Sequence, residues 1–300
     1  MISERLAVTG AGSLNIASAG EQGPALLLLH GVIRSWQDFD SITPSLAVRY
    51  HVYAPDFRGH GKSGWTPDKY YVPDYVNDAL AILVQAVSGP AVVYGHSLGA
   101  MVALALAARA PRLVQALILE DPPFETMGSR LLGTPLHGYF AQLRALALLR
   151  LGVPELAAAM AEIRMPLPCS SASVRLGDLR DSATLRFGAE CLAHADPDVL
   201  QPIVEGVWLR GYDFQGLVPQ VVCPVLLLQG NRELGGMLTD EDAAGLEAAS
   251  DCTRVVFSDV GHHIHRQQPD KTLRLVHDFI ASLPDRSRAK LPLRPTEVFP

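Results

Sequence analysis

The sequence predicts a mostly parallel central α/β sheet flanked by helices, with a helical insert between two of its strands. Three observations carry this. Short, strongly apolar runs alternate with helix-patterned stretches along the 300 residues. Runs of that kind are strands buried on both faces, as they are where helices cover a parallel sheet. Residues 124–211 show helical spacing and no β-run. Finally, Gly95-His96-Ser97-Leu98-Gly99 stands between an apolar strand and an alanine-rich helix.

The elements follow in order. Arg5–Thr9 and Ser13–Ser18 read as an opening hairpin around Gly10-Ala11-Gly12, and Ala25–Leu29 as a buried strand. A helical stretch is expected near Phe39–Val48, a strand at His51–Ala54, and a helix over Tyr75–Val87. Strand Ala91–Tyr94 passes through Ser97 into the helix that carries Ala103, Ala105, Ala107 and Ala108 and ends near Pro111. Strand Ala116–Leu119 then runs into Glu120-Asp121-Pro122-Pro123. Within the insert, helices are expected at Tyr139–Leu151 and Leu156–Ile163, a loop at Pro166-Leu167-Pro168, and a capped start at Asp196-Pro197. The sheet resumes at Pro224–Leu228, followed by a helix at Asp240–Ala249, a strand at Thr253–Phe257 and a closing helix over Lys271–Leu283. The core thus spans 1–123 and 212–283. The insert 124–211 is read as a lid over the carboxyl ends of the strands, where ligands bind in such sheets. Residues 284–300 read as a poorly ordered tail.

Composition narrows the class. Hydrophobic residues make up 48 % of the chain, enough for one sizeable core. A net charge of −6 with dispersed basic residues argues against a nucleic-acid binder. Neither a basic, apolar leader nor a bilayer-length apolar run is present, so a soluble, cytoplasmic protein acting on a small molecule is expected, with no membrane partner. Cys169, Cys191, Cys223 and Cys252 lie far apart with no C-x-x-C pair and read as reduced thiols. A single sequence carries no sign of oligomeric state.

The chemistry-bearing motifs fall at the carboxyl ends of the strands. In G-x-S-x-G the central residue is forced onto a sharp strand-to-helix turn, which exposes the Ser97 hydroxyl. His30-Gly31-Val32 follows the third strand and can aim the Val32 N–H toward Ser97, beside that of Leu98. Two such donors make an oxyanion hole, each worth about 3 kcal/mol in the transition state. The segment from Asp56 to Ser63, with Arg58, Gly59, His60 and Gly61, reads as a loop-pinning structure. After the last strand comes Gly261-His262-His263-Ile264-His265, in which His262 is the best general base, while His263 and His265 read as helix-entry or pocket-wall residues. Three histidines in four residues also raise a metal site. Ligands must converge, however, and no cysteine or acid stands at a recognisable metal spacing, so no metal and no cofactor is expected.

Together these motifs resemble the α/β-hydrolase fold, over about residues 5–283 and in the family's order. The resemblance implies the chain order nucleophile, acid, histidine, with Ser97 as nucleophile and His262 as base. Most relatives carry the acid as G-x-x-D after the post-lid strand. Here that position reads Gly230-Asn231-Arg232-Glu233, with glutamate in place of aspartate. Asp121, at the end of the strand before the insert, is the other position that relatives resembling haloalkane dehalogenases or zearalenone lactone hydrolases use. Asp121 is the first choice, Glu233 the alternative, and Glu120 stands behind both. The resemblance implies acyl transfer from an ester or lactone to Ser97, and the insert's Tyr139 and Trp208, read as substrate-binding residues, point to an apolar acyl or alcohol group. A serine at the elbow argues against the dehalogenase and epoxide hydrolase branches, which need an aspartate nucleophile. Carbon–carbon bond hydrolysis, a cofactor-free oxidoreductase of the perhydrolase or dioxygenase kind, and a non-catalytic binding protein are the other readings.

Overall fold

The opening hairpin pairs β1 (Ser3–Thr9) with β2 (Gly12–Ala19) antiparallel, and β2 in turn pairs antiparallel with β4 (His51–Pro55). From there all pairing is parallel: β4 with β3 (Ala25–Leu29), then β5 (Ala91–His96), β6 (Val114–Glu120), β9 (Val225–Gly230) and β10 (Cys252–Phe257). The eight-stranded order is β1-β2-β4-β3-β5-β6-β9-β10. This computed structural model describes residues 1–9, 12–87, 89–128, 130–166 and 173–284. Gly10 and Ala11 of the expected turn, Leu167 and Pro168 of the expected loop, Cys169, and the tail beyond Pro284 lie outside them.

The apolar runs are strands buried on both faces, and the period of two is visible in how they pack. Leu27 and Leu29 of β3 join one core with Val93, Leu117 and Leu227; Leu26 and Leu28 join the other with Val92, Ile118 and Leu228. Burying each leucine contributes about 2 kcal/mol, so the central strands anchor both layers at once. The first core is covered by the helices Val72–Ala86 and Leu98–Arg109, the second by Phe39, Leu46 and the Pro269–Ser282 helix through Val276.

Two expectations are corrected. The helix expected near Phe39–Val48 is a short 3-10 turn at Trp36–Phe39 followed by a single α-turn at Thr43–Leu46. Pro44 lacks an N–H and cannot sit inside a longer helix, so it restarts the helix instead. The insert, expected to hold no β-run, contains β7 (Arg164–Pro166) paired antiparallel with β8 (Ser173–Arg175). Three-residue strands are too short to show a periodicity. Among the described residues of the insert, helices run over Pro135–Leu148, Val153–Ala161 and Ser182–His194. The first two helices start earlier than their apolar spacing indicates, because Pro135 and Pro154 occupy first-turn positions. Asp196 caps the 3-10 turn Pro197–Leu200 through the N–H of Asp198, 3.1 Å away.

Candidate active site

Ser97 occupies the turn between β5 and the Leu98–Arg109 helix with φ 55° and ψ −115°. A side-chain-bearing residue there stores strain on the order of 1–3 kcal/mol, which the surroundings must impose. They do so through backbone contact. A Cβ on Gly95 would stand 2.1 Å from the Gly99 carbonyl oxygen, and one on Gly99 would stand 1.9 Å from that of Leu29, so strand and helix cross too closely for any other residue. The Ser97 N–H donates to the Glu120 carbonyl at 2.9 Å, tying the elbow to the end of β6. Leu98 opens the helix, where the first N–H groups have no partner within it.

The His30-Gly31-Val32 turn lies directly against this elbow: a Cβ on Gly31 would meet Ser97 Cβ at 3.3 Å. His30 is fully buried and fixes the turn with both ring nitrogens. Nδ1–H donates to the Gly31 carbonyl at 2.7 Å and Nε2 accepts the Phe57 N–H at 2.9 Å. Burial pushes its pKa down to about 4, so it stays neutral with that tautomer. The Asp56–Ser63 loop is pinned as expected. The Asp56 carboxylate accepts the N–H groups of Trp36 at 2.8 Å and Lys62 at 3.0 Å, and Arg58 forks onto Asp78 at 2.7 and 2.6 Å.

His262 Nδ1–H donates to Asp121 Oδ2 at 2.7 Å, which leaves Nε2 with its lone pair. Asp121 is fully buried, with φ 44°, and its carboxylate also accepts the N–H groups of Met237 at 2.7 Å, Gly230 at 3.1 Å and Leu238 at 3.3 Å. Glu233 is exposed in a 3-10 turn, and among the described residues nothing bonds its carboxylate to His262. The histidine is thus brought to Asp121 and not to Glu233. Burial lowers the pKa of His262 below its ordinary 6.5, with Asp121 opposing that shift. A base of this kind is neutral and competent further into acid. The acidic limb of kcat/KM is therefore expected below pH 6.5, measured as a pH–rate profile; a midpoint above 6.5 contradicts this placement.

Ser97, Val32 and His262 open onto one cavity of about 530 Å³. Its walls are apolar and come mainly from the insert, including Tyr139, Phe140, Met160 and the buried Trp208. Both aromatic residues singled out in the sequence line it.

The profile of the α/β-hydrolase fold matches residues 24–269. The chain belongs to this family. Esterase Rv0045c of Mycobacterium tuberculosis is similar over 89 % of this α/β hydrolase and 86 % of its own length, at 28 % identity. Lipase LipV of the same organism is 38 % identical over 39 % of this chain and 44 % of its own. The 2-(acetamidomethylene)succinate hydrolase of Mesorhizobium japonicum is 34 % identical over 38 % of this chain and 41 % of its own. The alignments to the last two span under half of either relative. Solved structures of an E-2-(acetamidomethylene)succinate hydrolase (TM-score 0.72, 23 % identity, 94 % of this chain and 100 % of that one) and of the enol-lactonase from Burkholderia xenovorans (0.70, 19 %, 92 % and 100 %) share the fold.

This α/β hydrolase carries a second buried imidazole–carboxylate pair beside the first, which sequence reading missed as a pair. His265 Nδ1–H donates to Glu120 at 2.9 Å and Nε2–H donates to the Asp38 carbonyl at 2.9 Å, while Glu120 also accepts the His265 N–H and the Tyr94 hydroxyl. Burial opposes both charges, but the attraction between them outweighs it: Glu120 is held down at about 2 and His265 is raised above 6.5. Glu120 thus adds stability above its ordinary 4.5 that is lost as pH falls through about 2; His265 adds stability below 6.5 that is lost as pH rises through its raised value. Glu120→Gln is expected to cost about 3 kcal/mol, most of all between those two ordinary values. Denaturant titrations of both proteins across pH check this; an equal, small cost at every pH contradicts it.

One cluster has the makings of a metal site. Ligand atoms of Asp38, His96 and His263 lie within 4.8 Å of one another. The Asp38 carboxylate is, however, already faced by Arg34 and Arg266, each at 3.6 Å, and Arg34 Nη2–H donates to His263 Nε2 at 3.0 Å. Two guanidiniums on the only acid make this a poor cation site. His96 Nε2–H donates to the His262 carbonyl at 2.9 Å and so holds the loop of the first pair.

Proposed function

We propose that the protein is a serine hydrolase that cleaves a carboxylic ester or lactone bearing an apolar group, through an acyl-enzyme on Ser97. The observation that carries this is the strained Ser97 turn at a cavity also lined by His262, whose Nδ1–H is held by buried Asp121 at 2.7 Å. His262 Nε2 takes the Ser97 proton as Oγ attacks the carbonyl, and Asp121 holds the imidazole in the required tautomer and stabilises the imidazolium. The N–H groups of Val32 and Leu98 hold the oxyanion. The imidazolium then protonates the leaving alcohol. Water, deprotonated by His262, attacks the acyl-enzyme, and the acid leaves as the imidazolium returns that proton to Ser97 Oγ. The insert 124–211 acts as the lid and shapes the acyl or alcohol pocket.

A second reading, hydrolysis of a bond other than a simple ester, draws support from the likeness to 2-(acetamidomethylene)succinate hydrolase. Fluorophosphonate labelling of Ser97, followed by turnover of p-nitrophenyl esters of graded length and a lactone panel, tests both. Labelling with ester or lactone turnover supports the first reading, labelling with neither favours the second, and absence of labelling overturns the serine mechanism.

A further inference from the structure

The cavity over Ser97 is apolar but for a few groups, and two of those are guanidiniums. Arg34 enters from the segment after β3 and Arg180 from the end of the short helix Leu176–Leu179 in the insert. Arg34 is partly satisfied by Asp38 and His263, and lies over the Phe187 ring at 5.7 Å. Arg180 is different: it is partly buried, and among the described residues no carboxylate lies within ion-pair distance of it. A guanidinium that only served solubility would extend into water, since burying it beside apolar walls costs solvation and rotamer freedom. Tyr139 senses both: burial raises its pKa, and the charges of Arg34 and Arg180 oppose the rise, so both guanidiniums act on the same phenol. Among the described residues, the only acidic one lining the cavity is Glu233, on the exposed turn. Two guanidiniums in the lining run against the net charge of −6 of the whole chain.

We propose that the substrate carries a carboxylate in addition to its scissile carbonyl, and that Arg180 receives it, with Arg34 and the Tyr139 hydroxyl beside it. The proposal rests on the serine hydrolase reading and deepens it to anionic esters or lactones. Guanidinium and carboxylate match as a two-pronged pair, and the apolar wall excludes water from it. Arg180 here sets specificity; it does not touch the reacting atoms.

The test compares mono-p-nitrophenyl glutarate with p-nitrophenyl hexanoate, which has similar length and no charge, in wild type, Arg180→Gln and Arg180→Lys. Wild type should favour the glutarate ester by about tenfold or more in kcat/KM. Arg180→Gln should cut that ratio about tenfold, through KM, and Arg180→Lys should restore part of it. A preference for hexanoate in wild type, or a ratio that Arg180→Gln leaves unchanged, overturns the proposal. Titration of Ser97→Ala protein with glutarate, with and without Arg180→Gln, reads the anion site without turnover. Loss of glutarate binding in the double variant supports the site even if fluorophosphonate fails to label Ser97, which sinks the hydrolase reading alone. Absence of glutarate binding to Ser97→Ala protein, beside normal labelling of wild type, sinks the anion site alone.

Discussion

Ser97→Ala is expected to reduce ester turnover about 10⁴- to 10⁶-fold while the melting temperature stays within a few degrees of wild type. The elbow is imposed by Gly95 and Gly99 against the Leu29 and Gly99 backbone, so removing the hydroxyl leaves the turn in place. On the proposed mechanism, what disappears is the atom that forms the acyl-enzyme, and the proposed oxyanion donors and the cavity retain only the modest rate advantage of binding and charge stabilisation. Single-turnover and steady-state assays on the folded variant decide it. Near-normal turnover in a folded protein contradicts covalent catalysis at this residue.

Asp121→Asn is expected to lower kcat by about 10³- to 10⁴-fold, and Glu233→Gln by less than about threefold, on the same ester. An amide in place of the carboxylate cannot accept from His262 Nδ1–H and from the N–H groups of Met237, Gly230 and Leu238 together. It therefore turns the imidazole to the wrong tautomer and loosens the β9 loop, so a lower melting temperature accompanies the loss of rate. Glu233 is exposed, and among the described residues its carboxylate holds nothing at the site. A larger loss in Glu233→Gln than in Asp121→Asn reverses the assignment of the acid.

Much of this was legible in the residues. Ala25–Leu29 matches β3 residue for residue, because five consecutive apolar residues between turn signals leave few alternatives. The elbow was legible for a stronger reason: Gly95 and Gly99 are required by contacts under 2.5 Å, and such constraints leave a fixed spacing in the sequence. The acid position was not settled, since Asp121 and Glu233 both follow strands at the same sheet edge and only the path of the backbone separates them. The Glu120–His265 pair was hidden for a similar reason. Its partners are 145 residues apart and each has an ordinary local explanation, so only tertiary packing brings them together. Arg34 and Arg180 carry no motif at all; their meaning comes from the walls around them.

Two of the three imidazoles of the Gly261–His265 segment are gripped by successive residues of one strand end, His262 by Asp121 and His265 by Glu120. Each grip sets the reach of the other, like two pegs fixing a ruler. A single-residue insertion or deletion between His262 and His265 cannot be absorbed by bending, because shifting either ring pulls the other off its carboxylate. Substitutions around this segment are free to alter the pocket; changes in its length are not. This interval of two residues is the gauge that keeps the His262 ring on Asp121.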